Sequence, residues 1–287
     1  MVIPHRFSWQ HLLILALVAV FTIVLCLVMR RRSELVQRIV FITLGVTGVV
    51  VFMLRWLFGW HNIFTIAESG WRVGGGYSLF PLELCHFGLF ILMFAAIFRK
   101  RWLFVFAIYV NVFWAAFAFL AFPRGYMYPV ETNPLGQWMF YDFFIIHTLL
   151  IALPIAFIVC GWYRPKLRDA LPAAIMLLLT GLGVYIISVI FNHIELFTHG
   201  LANYMYTVYP SGQPILQWIF DIIPIPFVFG LPLIPLFFIL YILVTLPFLK
   251  KDERREQWRD LWSRDNLKTL GFKSYQKPET PRSVRRP

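Results

Sequence analysis

Seven stretches of this sequence stay apolar for about the 20 residues that a helix needs to cross the hydrocarbon of a bilayer. They are 8–29, 37–59, 78–98, 102–122, 139–162, 170–193 and 225–249. Hydrophobic residues make up 60% of the 287-residue chain and charged ones only 14%, against roughly 25% charged in a soluble protein. Thirty Phe and eleven Trp add to the excess. A domain of this size leaves too much of its surface in water to hide so many apolar groups; a bilayer accepts them. The expected fold class is therefore all-α, a polytopic membrane protein with seven transmembrane helices over 1–249, followed by a cytoplasmic tail over 250–287.

Arg99, Lys100 and Arg101 alone separate the third run from the fourth, which predicts a tight helical hairpin. The seventh run is entered through Pro224 and contains Pro226, Pro232 and Pro235. Proline removes a backbone donor and clashes with the preceding turn, so this helix is expected to be kinked or broken. Residues 213–223 read as a separate re-entrant or interfacial piece. The first run is followed by Arg30, Arg31 and Arg32 rather than by a cleavage site, and reads as a retained span.

The net charge of +12 is distributed in a way that orients the chain and argues against nucleic acid. Arg30, Arg31, Arg32, Arg38, Arg99, Lys100, Arg101, Arg164, Lys166 and Arg168 occupy alternate connections, whereas the opposite side offers Arg6, Arg72 and Arg124. Basic loops stay cytoplasmic, so the N-terminus is expected outside and the C-terminus inside, in a multi-pass cell-membrane protein. The tail places Trp258, Leu261 and Trp262 among charges, the pattern of a short amphipathic helix on the anionic inner leaflet. Its end, with Pro278, Pro281 and Arg282 to Arg286, reads as disordered. Cys26, Cys85 and Cys160 each lie inside an apolar run, unlike the cysteines of a secreted disulfide scaffold. Nothing in the sequence sets an oligomeric state.

Ionisable and polar groups inside spans are costly and therefore candidates for function. Glu83, Cys85, His86, Asp142, His147 and Asn192 fall in the outer halves of their runs, Asn111 nearer the midplane, and Arg55 and Asp221 at run ends. Counting along the runs puts Cys85 about 10 Å and His147 about 12 Å inside the outer boundary. A thiol nucleophile needs a base within reach and a group to orient that base. Cys85 and His147, at matched depth on different helices, suit the first two roles. Glu83 and His86 are three positions apart and share a helix face; Glu83 and Cys85 do not. Arg55 and Asp142 also read as interfacial side chains able to snorkel. The Trp71 to Tyr77 segment, with Gly74, Gly75 and Gly76, and the 196–214 connection, with Asn203, Tyr204, Tyr206 and Tyr209, read as covers over such a site.

Pro81-Leu82-Glu83-Leu84-Cys85, His147 in its apolar surroundings and the Asn203-Tyr204 pair together resemble the YwaF family of bacterial integral membrane proteins. That family is related to eukaryotic transmembrane acyltransferases acting on phospholipids. The resemblance runs over about residues 40–249 and implies a seven-helix fold in which Cys85 accepts an acyl chain with help from His147. Positions 83 and 86 carry Glu and His where the bacterial pattern often has His and an acidic residue. The expected function is a lipid acyltransferase or transacylase that uses membrane lipids and needs neither cofactor nor metal. A metal-dependent membrane hydrolase built on Glu83, His86 and His147 lacks an HExxH or paired-cysteine spacing. The alternative outside enzymology is a transporter, receptor or lipid-binding membrane protein.

Overall fold

Arg30 closes the first helix and Glu34 opens the second, so a cation stands at a helix C-terminus and an anion at an N-terminus, each at the favourable end of the helix dipole. These are α1 (Trp9–Arg30) and α2 (Glu34–Phe58). The computed structural model describes residues 9–58, 64–67, 70–73, 80–121, 134–197, 201–210 and 214–263. Leu13, Leu17, Ile23 and Leu27 of α1 are each at least 50% exposed. An apolar face of that extent needs lipid or a partner against it.

Among the described residues six helices are long and apolar enough to cross a membrane: His11–Arg30, Glu34–Leu54, Arg101–Leu120, Tyr141–Val159, Leu167–His193 and Val228–Phe248. The run expected over 78–98 yields a shorter helix, α3 (Leu84–Phe98), about 22 Å long at 1.5 Å per residue. Pro81 lacks a backbone donor and Glu83, the N-cap, is extended at φ −70° and ψ 144°, so the helix cannot begin earlier. Between α2 and α3 a short antiparallel hairpin, β1 (Phe64–Ala67) and β2 (Gly70–Val73), pairs Phe64 with Val73 and Ala67 with Gly70. Apart from this hairpin every described element is helical, as the all-α expectation has it. Gly74, Gly75 and Gly76 lie outside the described residues, as does the chain from Arg264 onward.

The fourth run is one continuous helix, α4 (101–121), whose middle turn widens to a π-helix over Phe106–Asn111. All six residues of that turn are buried. α5 (Pro134–Val159) is the hub of the bundle, with α1, α2, α3 and α4 all packed on it. Gly161, at φ +76°, ends it: the Trp162 N–H reaches back to Phe157 O at 2.8 Å and the Gly161 N–H to Ile158 O at 3.0 Å, the Schellman pattern. At Gly45 a Cβ would stand 2.9 Å from the Met93 Cα, so α2 and α3 touch backbone to backbone, as small residues permit between membrane helices. α6 (Ala170–His193) follows, and then the expected break: α7 (Pro214–Ile222) is separate from α8 (Leu233–Thr245). Between them Phe227 takes φ +64°. α9 (Lys251–Leu261) carries the tail, with Leu261 buried and Trp262 exposed.

Polar residues do not gather at one end alone. Where α4 begins and α6 is about to, Arg101 Nη2 donates to Asp169 Oδ2 at 2.6 Å and Arg101 Nε to Oδ1 at 3.3 Å. Tyr163 OH and the Lys166 N–H also donate to Asp169 Oδ2, at 2.6 and 3.1 Å. Asp169 is fully buried, and the Arg101 guanidinium lies 4.9 Å above the Tyr163 ring. Burial, with the Asp169 carboxylate adding to it, pushes the Tyr163 phenol well above its ordinary value, which keeps it a donor. Nearby, Trp162 Nε1 donates to Gln37 Oε1 at 2.8 Å, Arg99 pairs with Glu34, and Arg164 pairs with Glu253 of α9 at 2.6 Å. The basic connections are thus tied to one another and to the tail helix. Replacing Asp169 by Ala strands Arg101, only 12% exposed, at an expected cost of about 3–5 kcal/mol. This should appear as a lower thermal midpoint in detergent, largely recovered in an Asp169→Leu/Arg101→Met double variant. A single variant that melts with the parent would deny the cluster that role.

Candidate functional site

Cys85 is the second residue of α3 and His147 the fourteenth of α5, so depth cannot be read by counting from helix starts. Side-chain contacts give the levels instead. A Cβ on Gly48 of α2 would meet Leu89 Cδ2 at 2.8 Å and Leu149 Cδ1 at 3.1 Å, so Leu89 and Leu149 share a level. Cys85 lies four residues outward of Leu89 and His147 two outward of Leu149, a difference of about 3 Å at 1.5 Å per residue. A second route passes through α4. Phe104 meets Phe157 at 5.2 Å, and seven residues outward on each helix stand Asn111 and Leu150. Asn111 Nδ2 donates to Gly88 O at 3.1 Å; three residues outward of Gly88 and of Leu150 are Cys85 and His147. Both routes bring the two side chains to nearly one level on packed helices. Cys85 is half-buried against the main core.

His147 is held by its own helix. Its Nδ1 lies 2.6 Å from Phe143 O, an oxygen that can only accept, so Nδ1 carries the proton. Neutral imidazole then presents Nε2 as an acceptor. Phe143 flanks the ring at 4.2 Å and Phe119 of α4 at 5.8 Å. Asp142 is fully buried and so does not snorkel to the interface. His86 is buried too, with its ring 4.4 Å from that of Phe52.

Glu83 reaches across the bundle. Its Oε2 accepts the Met205 N–H at 3.2 Å, which joins the Pro81–Cys85 segment to the Asn203–Tyr204 segment. Met205 and Tyr206 hold φ of +55° and +56°, a region costly for non-glycine residues. Asn203, buried, fixes that turn: Oδ1 accepts the Val208 and Tyr209 N–H groups at 2.9 and 3.1 Å, and Nδ2 donates to Tyr209 O at 2.8 Å. Asn192 clasps Ala202 through both backbone groups, at 2.9 and 2.6 Å. Asn111 ends the π turn, and its buried Oδ1 meets no donor among the described residues. Asp221, on α7, accepts from Gln217 Nε2 at 2.8 Å. Arg55 belongs to the last turns of α2, and its side chain lies outside the described residues.

The sequence reading passed over His11. It is fully buried in α1, and its Nε2 donates to Phe119 O at 2.9 Å, on the residue whose ring meets His147. A single His in an otherwise uncharged apolar run was the available signal. The TMEM164 family model matches residues 6–262, a stretch that contains every candidate residue. No curated protein and no solved structure matches the chain.

The contact between Gly88 and Asn111 is the joint between the helix of Cys85 and its neighbour. An Ala at 88 would place its Cβ 2.5 Å from Asn111 Oδ1 and displace the amide. Gly88→Ala is expected to cost about 1–3 kcal/mol, and Asn111→Ala should recover part of it. Thermal denaturation of the two single variants and the double variant should give a coupling of about 1 kcal/mol; strict additivity would show that the joint is not specific.

Proposed function

The chain belongs to the TMEM164 family, and from that premise we propose that it is a lipid acyltransferase or transacylase with Cys85 as nucleophile and His147 as base. The observation that carries the reading is the Nδ1–H of His147 held on Phe143 O at 2.6 Å, which in the neutral ring makes Nε2 the basic nitrogen. Nε2 takes the thiol proton, and the Cys85 sulfur attacks the carbonyl carbon of a lipid ester. A C–S bond forms, the ester C–O bond breaks, and the imidazolium returns the proton to the departing lysolipid oxygen. His147 then deprotonates an acceptor hydroxyl or amine. The acceptor attacks the thioester, the C–S bond breaks, and the thiolate regains the proton.

In this reading α3, preceded by the turn over 80–83, is the seventh and shortest span of a membrane domain over 1–249. The N-terminus is outside, and the basic connections and the tail over 250–287 are in the cytoplasm. Cys85 and His147 then open to the outer leaflet of the cell membrane. Lys250, Lys251, Arg254 and Arg255, all exposed, meet anionic inner-leaflet lipid. The likeness to the bacterial YwaF proteins, carried by Pro81 to Cys85, belongs to the same proposal.

With a phospholipid donor, the parent protein should acquire a hydroxylamine-sensitive acyl label. Cys85→Ala abolishes label and transfer, and His147→Gln lowers transfer by about 100-fold or more. Cys26→Ala and Cys160→Ala should leave both unchanged. Normal turnover in Cys85→Ala would sink the mechanism. Reversible lipid binding with no thioester in the parent would favour a binding or transport protein.

A further inference from the structure

A cavity of about 90 Å³ lies between α4, α6, α8 and the 205–207 turn. Its walls include Trp114, Gly181, Met205, Phe227, Ile234 and Phe237. They are mostly apolar, and such a lining favours apolar guests. A space of this size suits a short stretch of hydrocarbon chain.

Two observations tie this cavity to the helix of the candidate nucleophile. Met205 lines it, and the Met205 N–H is held by Glu83, the N-cap of α3. Trp114 lines it as well. The Gly88–Asn111 hydrogen bond joins antiparallel helices linked at Arg99–Lys100, and Cys85 and Trp114 are each three residues outward of it. They therefore stand at one level. The buried Trp114 Nε1–H meets no acceptor among the described residues. Such a donor is costly to leave unmade, and an ester carbonyl is an acceptor that could meet it.

We propose that this cavity holds a segment of the fatty-acyl chain of a glycerophospholipid, with the ester end at the level of Cys85 and Trp114. The inference rests on the acyl-transfer reading for the fate of that ester; occupancy by the chain does not require turnover. Phe227, kept at φ +64° and tied by its N–H to Thr207 O at 2.7 Å, forms the wall facing Gly181. A Cβ on Gly181 would stand 3.6 Å from Phe227 Cε2, an ordinary contact, so a larger side chain there fills the cavity without a clash at its base.

The full chain in nanodiscs would be irradiated with a phosphatidylcholine carrying a diazirine a few carbons from the ester carbonyl of one chain, and the labelled peptides mapped. The expected result is labelling around Trp114 and around Ile234 to Phe237, in the parent and equally in Cys85→Ala. Gly181→Leu should reduce that label by about tenfold, in line with steric discrimination in apolar pockets. Ile234→Trp provides a second filler if the first variant does not fold. Gly183→Leu, on the same helix with nothing within 4 Å of its Cβ, should leave the label unchanged. Label confined to the outer faces of α1 and α6, or unchanged by both fillers, overturns the proposal. Cavity labelling in a parent that forms no thioester sinks the transferase reading and leaves the cavity assignment standing. A thioester without cavity labelling does the reverse.

Discussion

In hydrocarbon a backbone N–H or C=O has no water to turn to, so wherever a membrane helix stops, something else in the protein must satisfy the groups set free. This chain stops or widens its helices in several places: before α3, within α4, after α6 and between α7 and α8. Polar side chains at the first three of these places hold backbone groups. Asn203 satisfies three backbone groups of the 203–209 turn. Asn192 satisfies two on Ala202, Glu83 one on Met205 and Asn111 one on Gly88. Four residues that stand out as costly polar intrusions thus have backbone partners. The irregular segments they support are the ones that bring the motif residues together.

The spans were the legible part of the sequence, because length and hydropathy are local properties. Among the described residues six of the expected runs became helices of spanning length; the last of them enters through a 3-10 turn over Val228–Gly230 before α8, and 213–223 holds the separate piece α7. The short α3 was less legible: Phe80 and Leu82 are as apolar as helix residues, and only Pro81 signals that the helix starts late. The β1–β2 hairpin left no alternation strong enough to set it apart from a loop. Asp169 was overlooked because it belongs to a basic connection. Its burial depends on Arg101 and Tyr163, which no local pattern connects to it.

For the site, depth along a run was informative and azimuth was not. Counting from run ends suggested that Cys85 and His147 share a level, although one opens its helix and the other sits in the middle of its own. The levels agree because α3 starts far inside the height at which α5 starts, a fact of packing. Asp142 looked interfacial by the same counting, yet its burial follows from the position of α5 at the hub of the bundle. His11 escaped notice for a related reason, since its partner is a main-chain oxygen of Phe119 and carbonyls carry no sequence signature.

The π turn over Phe106–Asn111 acts as a one-residue insertion stored inside a helix. Wide turns of this kind arise where an extra residue is absorbed without ending the helix. Everything from Val112 to Ala121 therefore faces about 100° away from where an uninterrupted α-helix would turn it. Excising a single residue from the turn would restore regular winding and rotate that whole segment. The Phe119 carbonyl would leave His11, and the Trp114 indole would leave the cavity wall. The faces that the outer half of α4 presents to its neighbours are set by one surplus residue a turn or more away.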